Sequence, residues 1–175
     1  MPTRYAKLEE CSEVMDVLYC VVLGIDSVKE MTEKLKQPQP SISSKLRFLR
    51  KNKVVIKDKW NYEPAWNGIY RAMLQSLQDV LEYYNLLARK QGKRMSKNLW
   101  KMFSKEVLLG ILKVYSNIYF YGYEKLSMEE IAKSFLSQLA RADKKRIKKI
   151  DPKLLEVQRQ LKKIRTKEDM LFGEL

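Results

Sequence analysis

The chain of 175 residues is long enough for one domain, or for a small domain with an appendage. Its apolar content of 45% allows a buried core and argues against wholesale disorder. An excess of 35 Lys and Arg over 21 Asp and Glu gives a net charge of +14, which favours a polyanionic partner, nucleic acid first and an anionic membrane surface second. A generally basic, solvated surface is the simpler alternative.

Cysteine and histidine content limits the chemistry. Cys11 and Cys20 are separated along one predicted helix by a rise of about 13.5 Å, too far for an intrachain disulfide. We therefore expect buried thiols in a protein of the reducing cytoplasm. The absence of histidine excludes a His general base and a His-containing zinc site, and we expect neither a metal nor another cofactor. No apolar run reaches the roughly 20 residues of a membrane span, so no membrane partner is expected.

The first two helices are predicted over residues 8–25 and 27–36. The first is apolar on more than one side, which is typical of a helix sandwiched between two layers. The second begins with Ser27 and Glu30 at the spacing of a capping box, in which each side chain satisfies a backbone N–H at the helix start.

A third helix and a hairpin follow. Pro38 and Pro40 interrupt the helical pattern, so the third helix is predicted over residues 41–51 with Ser41 as its N-cap. Strands are predicted over residues 54–57 and 60–64, which are rich in β-branched and aromatic side chains and are joined by a turn at Asp58 and Lys59.

The remainder of the chain is predicted to be helical. Apolar spacing of three and four residues predicts helices over residues 69–91, 97–119, 127–141 and 151–171. We therefore expect two parts, a DNA-binding domain over residues 1–68 and a helical dimerisation or partner-binding region over residues 69–175.

The order helix, helix, tight turn, helix and hairpin is the winged helix-turn-helix arrangement. The stretches that carry it are Val28 to Leu35, Pro40-Ser41-Ile42-Ser43-Ser44-Lys45-Leu46-Arg47-Phe48-Leu49-Arg50, Val54-Val55-Ile56 and Tyr62-Glu63-Pro64. Over residues 8–68 the chain resembles archaeal and bacterial winged-helix transcription regulators of the ArsR and MarR type, whose Ser-rich recognition helix reads S-x-x-L-x-x-L. The resemblance implies a mainly α fold with a short β-hairpin wing. The chain departs from the family pattern at Lys53, where the family usually has Gly, and in its very short wing. The cysteine and histidine metal sites of the metal-sensing branch of the family are absent.

The distribution of charge supports DNA binding independently. Residues 41–59 contain seven basic side chains and one acidic one. A recognition helix needs small or polar residues near its N-terminal end so that its backbone can approach the major groove. We assign base reading to Gln39, Ser41, Ser44 and Lys45. We assign phosphate binding to Ser43, Arg47, Arg50, Lys51, Lys57 and Lys59.

The function expected from the sequence is sequence-specific binding of double-stranded DNA by a transcriptional regulator. A homodimer is expected because one recognition helix contacts few base pairs, and apolar stripes on the first, fourth and last helices offer interface surface. A winged-helix adaptor for protein contacts, and an RNA-binding or replication-associated protein, are the alternatives. We do not expect an enzyme, because we find no Gly-rich phosphate loop, nucleophile elbow or clustered metal ligands.

Three further features have two interpretations each. The basic cluster Arg141, Lys144, Lys145, Arg146, Lys148 and Lys149 is either an extra phosphate contact or a solvated linker between helices. The aromatic residues Tyr115, Tyr119, Phe120, Tyr121 and Tyr123 indicate core or dimer interface more than a pocket for an effector, whose identity is unknown. Trp60 and Trp66 are interpreted as packing between hairpin and body in preference to base stacking.

Overall fold

A computed structural model describes residues 12–122 and 125–164 of the chain. Within these residues the fold is mainly α, as expected, with one small antiparallel sheet. The α-helices are α1 (Met15–Val22), α2 (Val28–Leu35), α3 (Gln39–Lys51), α4 (Trp66–Lys90), α5 (Lys105–Tyr119), α6 (Met128–Arg141), α7 (Lys144–Ile150) and α8 (Leu154–Lys162). Strands β1 (Val55–Asp58) and β2 (Asn61–Pro64) lie between α3 and α4, and short 3-10 turns occupy Ser12–Val14 and Leu99–Met102.

Helix α1 lies in the middle of the core. All its residues are buried, and it packs against α3 and α5. The Tyr19 ring lies 5.0 Å from that of Tyr119, measured between centroids, and the Tyr19 hydroxyl donates to the Leu126 carbonyl at 2.6 Å. The prediction of a sandwiched first helix is therefore confirmed for its described part. Buried residues from both sides of residue 68 form one continuous core, and the division of the chain at that residue stays a prediction.

Helix α3 begins earlier than predicted. It starts at Gln39, with Pro38 in extended backbone geometry at the N-cap and Pro40 inside the first turn. Proline is tolerated there because the first N–H groups of a helix have no intrahelical partner. The prediction that Ser41 is the N-cap is wrong, since its backbone N–H donates to the Pro38 carbonyl at 3.0 Å within that first turn.

The end of α3 lies directly against the start of α4. Lys53 adopts a left-handed backbone conformation with φ of 62°, at the position where the resemblance expects glycine. A Cβ placed on Gly68, in the first turn of α4, would lie 1.9 Å from the Lys53 carbonyl oxygen. Only glycine allows this approach, which sets the spacing between the two helices.

The hairpin differs from the prediction at its tip. Asp58 pairs with Asn61, so the turn comprises Lys59 and Trp60, one residue later than predicted. Trp60 is 83% exposed, and interpreting it as packing between hairpin and body is therefore wrong. Trp66 does pack against the core, with the Lys113 ammonium 5.2 Å from the centroid of its ring.

The second half of the chain places α4 against α5 and α6, with α8 packed on α6. The predicted cap at Ser127 is confirmed, because its side chain and that of Glu130 form a reciprocal capping box. The segment after Arg141, for which a solvated linker was one of two interpretations, forms the short helix α7, which buries Ile147. The part of the last predicted helix beyond residue 164, and the part of the first before residue 12, lie outside the described residues. Over the described ranges, no helix combines the length and the hydropathy that crossing a bilayer requires.

Replacing Gly68 by Ala should destabilise the protein. The new Cβ would have to displace the Lys53 backbone, so we expect the free energy of unfolding to fall by about 1–3 kcal/mol in urea denaturation. Gly110→Ala in α5 is the control, because a Cβ there meets nothing within 4 Å and Ala is favoured over Gly in a helix by about 1 kcal/mol. Equal responses of the two variants would contradict the close approach.

Alkaline pH should destabilise the protein through α1. Burial raises the pKa of the Cys20 thiol from 9.0 to about 12, with a further contribution from the Asp16 carboxylate. Between these two pKa values the thiol stays neutral in the folded chain but ionises in the unfolded chain. The contribution of the buried thiol to the free energy of unfolding is therefore full below pH 9.0 and is lost as the pH rises toward 12. The free energy of unfolding of the native chain should fall relative to that of Cys20→Ala by up to about 1.4 kcal/mol per pH unit in this window. Parallel pH profiles of the free energy of unfolding for the native chain and for Cys20→Ala would refute this role of the thiol.

Candidate nucleic-acid interface

A cleft of about 940 Å³ opens between α3, β1 and the first turns of α4. Its walls carry six cationic side chains, those of Arg47, Arg50, Lys51, Lys53, Lys57 and Arg71. Among residues 12–122 and 125–164, no acidic side chain lines it. We call this feature the basic cleft.

The core positions the cations on α3. Ile42, Leu46 and Leu49 are buried and hold one face of the helix against the protein. With about 100° of rotation per residue, Arg47 and Arg50 then point to the side where β1 and α4 lie. Both side chains are exposed, so their guanidinium groups are available to a ligand in the cleft.

The cations of the basic cleft have no anionic partners in the described part of the chain. The ion pairs found there join Asp16 to Lys45 and Lys125, Glu129 to Lys133, and Glu156 to Arg159. Lys57 makes one ring contact, with its ammonium 5.8 Å from the centroid of Tyr62. Clustered cations without counter-charges create a positive potential that attracts a polyanion.

The start of α5 extends this positive surface. Asn67 lines the basic cleft and accepts a hydrogen bond at its Oδ1 atom from the Lys105 ammonium. Lys105 therefore places another cation beside the wall that α4 contributes.

The predicted phosphate-binding residues are only partly brought together. Arg47, Arg50, Lys51 and Lys57 line the basic cleft. Ser43 is half-buried on α3 and Lys59 is exposed in the hairpin turn, and neither lines the cleft.

The predicted base-reading residues lie in two different environments. Gln39 and Ser44 are exposed on α3. Ser41 is half-buried, and its hydroxyl lies 3.5 Å from Oε1 of Gln37. Lys45 is turned inward.

Lys45 is committed to a buried carboxylate. Its ammonium lies 3.0 Å from Oδ2 of Asp16 and donates to Oε1 of Gln37 at 2.8 Å, and its side chain is only 16% exposed. Asp16 has no exposed surface and also accepts from Gln37 at 2.7 Å and from Lys125 at 3.5 Å. Because withdrawing Lys45 would leave this buried charge poorly compensated, the position does not suit base reading, and we remove Lys45 from that set.

Several residues of the site were missed. Lys53, Asn67, Arg71 and Lys105 lie at or beside the basic cleft but were not assigned to it. A sequence signal that could have pointed to a close backbone approach there is Gly68, which the structure places in the first turn of α4. Asp16 within the apolar first helix could likewise have indicated a buried cation, since a buried charge needs a partner.

A second cleft, of about 710 Å³, is mainly apolar and lies between α5, α6, α7 and the start of α8. Tyr115 lines it and hydrogen-bonds to the Ser134 hydroxyl at 2.5 Å. Tyr119 and Phe120 pack against the core, whereas Tyr121 is 82% exposed. The core interpretation is therefore confirmed for Tyr119 and Phe120, and the aromatic residues do not together form one pocket. Tyr123 lies outside the described residues.

The basic cluster of residues 141–149 is separate from the basic cleft. Arg141 and Arg146 line the apolar cleft, and Lys144, Lys145, Lys148 and Lys149 are exposed on α7. The cluster adds no side chain to the walls formed by α3, β1 and α4.

Comparisons with protein-family models, with curated proteins and with solved structures return no match to this chain.

Lys45→Met should destabilise the protein far more than Lys51→Met, which removes an exposed cation from the same helix. Breaking a buried ion pair costs about 3–5 kcal/mol, and we expect about 2–3 kcal/mol here because Gln37 and Lys125 still bond to Asp16. Lys51→Met should stay within about 0.5 kcal/mol of the parent chain. Urea denaturation measures both, and a Lys45→Met chain as stable as the control would contradict the buried pair.

Proposed function

We propose that this protein is a winged helix-turn-helix protein that binds double-stranded DNA, with α3 at the major groove and the β1–β2 hairpin as its wing. The observation that supports this most strongly is the basic cleft, which joins on one surface six cations from α3 and the turn after it, from the hairpin and from α4. The element order α2, turn, α3 and hairpin is the one that winged helices use to present a recognition helix.

The basic cleft is suited to the phosphate backbone. DNA carries one negative charge for about every 1.7 Å of its axis, and each phosphate neutralised by Lys or Arg releases condensed counterions. Arg47, Arg50 and Arg71 would supply forked donors to phosphate oxygens, and Lys51, Lys53 and Lys57 would supply point charges. Binding of this kind is strong at low salt and falls steeply as salt rises.

The N-terminal half of α3 would then face base edges. Gln39 and Ser44 are exposed, and a small hydroxyl such as that of Ser44 allows the helix backbone to approach the groove. Gln pairs with adenine through two hydrogen bonds, so Gln39 is the side chain to which we assign most of the selectivity. Regulation of transcription is the role we propose for such binding.

The proposal does not depend on a homodimer. The apolar surface of α1 is covered by α3 and α5 of the same chain, and the inward stripe of α4 is covered by α5 and α6. On α4, Tyr83 and Leu86 remain exposed. Over the described residues, the apolar stripes of the first and fourth helices, which favoured a dimer, are therefore largely used within the subunit.

A charge-neutralised cleft should bind DNA weakly and with a reduced response to salt. In a chain carrying Arg47→Gln, Arg50→Gln and Arg71→Gln, the slope of log affinity against log salt should become shallower by up to about 2.7, at roughly 0.9 for each lost phosphate contact. Fluorescence anisotropy with a labelled duplex between low and physiological salt measures this slope.

The matched control carries Lys144→Gln, Lys148→Gln and Lys149→Gln, the same change of charge on the exposed surface of α7. It should leave the slope nearly unchanged. Equal losses in both chains would indicate attraction by net charge alone and would refute the assignment of the site. Tighter binding of duplex RNA than of duplex DNA, or no binding of either, would instead favour the RNA-binding or the adaptor alternative.

A further inference from the structure

The tip of the hairpin presents a tryptophan to solvent. Asp58 and Asn61 form the last pair of the β1–β2 ladder, so Lys59 and Trp60 make the turn. Lys59 takes a left-handed conformation with φ of 55°, and the Trp60 side chain is 83% exposed. A side chain of this size is normally largely buried, and it gains much from covering its rings.

The turn that carries Trp60 follows closely, along the chain, a strand that lines the basic cleft. Lys57, which lines the cleft, precedes Trp60 by three residues, a separation of at most about 10 Å even along an extended chain. Successive nucleotides of a strand advance by about 3.4 Å. The Cα atom of Trp60 therefore lies within about three nucleotide steps of the Cα atom of Lys57 on the cleft wall.

The charge around the tip favours a nucleic acid over an apolar partner. Lys57 precedes the turn and Lys59 lies in it, with the acidic Asp58 between them. An aromatic face next to a positively charged groove is the arrangement by which proteins stack unpaired bases while binding the adjoining backbone.

Paired bases within a duplex do not offer such a face, because their neighbours cover them. The hairpin is also short, with four residues in each strand, so it does not extend far from the body. An indole at its tip meets an uncovered base only where pairing stops, at an end, a gap or an overhang.

We propose that Trp60 is a stacking platform for an unpaired nucleobase, so that the preferred ligand is duplex DNA adjoining a single-stranded segment. This inference rests on the proposed binding of DNA in the basic cleft. It adds a second recognition element, which reads the structure of the DNA and not its sequence.

The test compares two DNAs, a duplex closed at both ends by hairpin loops and the same closed duplex carrying a one-nucleotide gap in one strand. Both DNAs have the same loops, so they differ only at the gap. The native chain should prefer the gapped DNA by about 5- to 150-fold, the range expected for stacking of one base on an aromatic side chain. Trp60→Ala should lose this preference and keep its affinity for the closed duplex, and Trp60→Phe should retain part of it. Tyr121→Ala is the matched control, since Tyr121 is 82% exposed but lies after the end of α5 and not on the hairpin.

Fluorescence supplies an independent reading. The difference between the emission of the native chain and that of Trp60→Phe gives the emission of Trp60 alone. The gapped DNA should quench this emission, whereas the closed duplex should not. Equal affinities of the native chain for the two DNAs, or a preference that survives Trp60→Ala, would overturn the stacking role while leaving duplex binding in the cleft intact. Quenching of Trp60 by phosphatidylglycerol vesicles but by neither DNA would assign the tip to an anionic membrane surface and would also overturn it. Loss of closed-duplex binding in the arginine-neutralised chain, tested in parallel, reports on the proposed function separately.

Discussion

The buried carboxylate of Asp16 is the constraint on which the arrangement of the first half depends. It lies within a fully buried helix and is held by Lys45 of α3, by Gln37 of the turn before α3 and by Lys125 ahead of α6. A charge without access to water must be paired, so α3 has little freedom to rotate on α1. Arg47 and Arg50 lie roughly 160° and 140° around the helix from Lys45. Holding Lys45 inward on one flank therefore turns these two arginines outward on the other.

A second constraint completes the cleft. Lys53 leaves α3 in a left-handed conformation, and Gly68 lets the first turn of α4 lie against its carbonyl. This contact brings Arg71 to the same surface as the arginines of α3. The resulting concentration of unpaired cations is unfavourable by itself, because like charges repel across a short distance. It becomes favourable when a polyanion occupies the surface, which is the physical basis for the function proposed here.

The two clefts differ in chemistry and involve different elements. The basic cleft is formed by α3, β1 and α4, whereas the apolar cleft is formed by α5, α6, α7 and α8. Aromatic side chains also lie in different environments, since Tyr115 lines the apolar cleft and Trp60 is exposed at the tip of the hairpin. Sequence spacing did not distinguish these environments, because an aromatic residue at helical spacing is compatible with a core, a pocket wall or solvent.

Local sequence patterns determined the mainly α fold, the N-cap at Ser27 without the reciprocal bond from Glu30, the capping box at Ser127, the hairpin, and the grouping of Arg47, Arg50, Lys51 and Lys57 on one surface. These depend on periodicity, capping and propensity, which act over a few neighbouring residues. Tertiary structure alone decided that Lys45 pairs with Asp16, that Arg71 joins the basic cleft and that Trp60 stays exposed. In each case the deciding partner, or its absence, lies on another element of the fold. Whether a cation is free or paired, and whether a ring is covered or exposed, depends on what the rest of the chain packs against it.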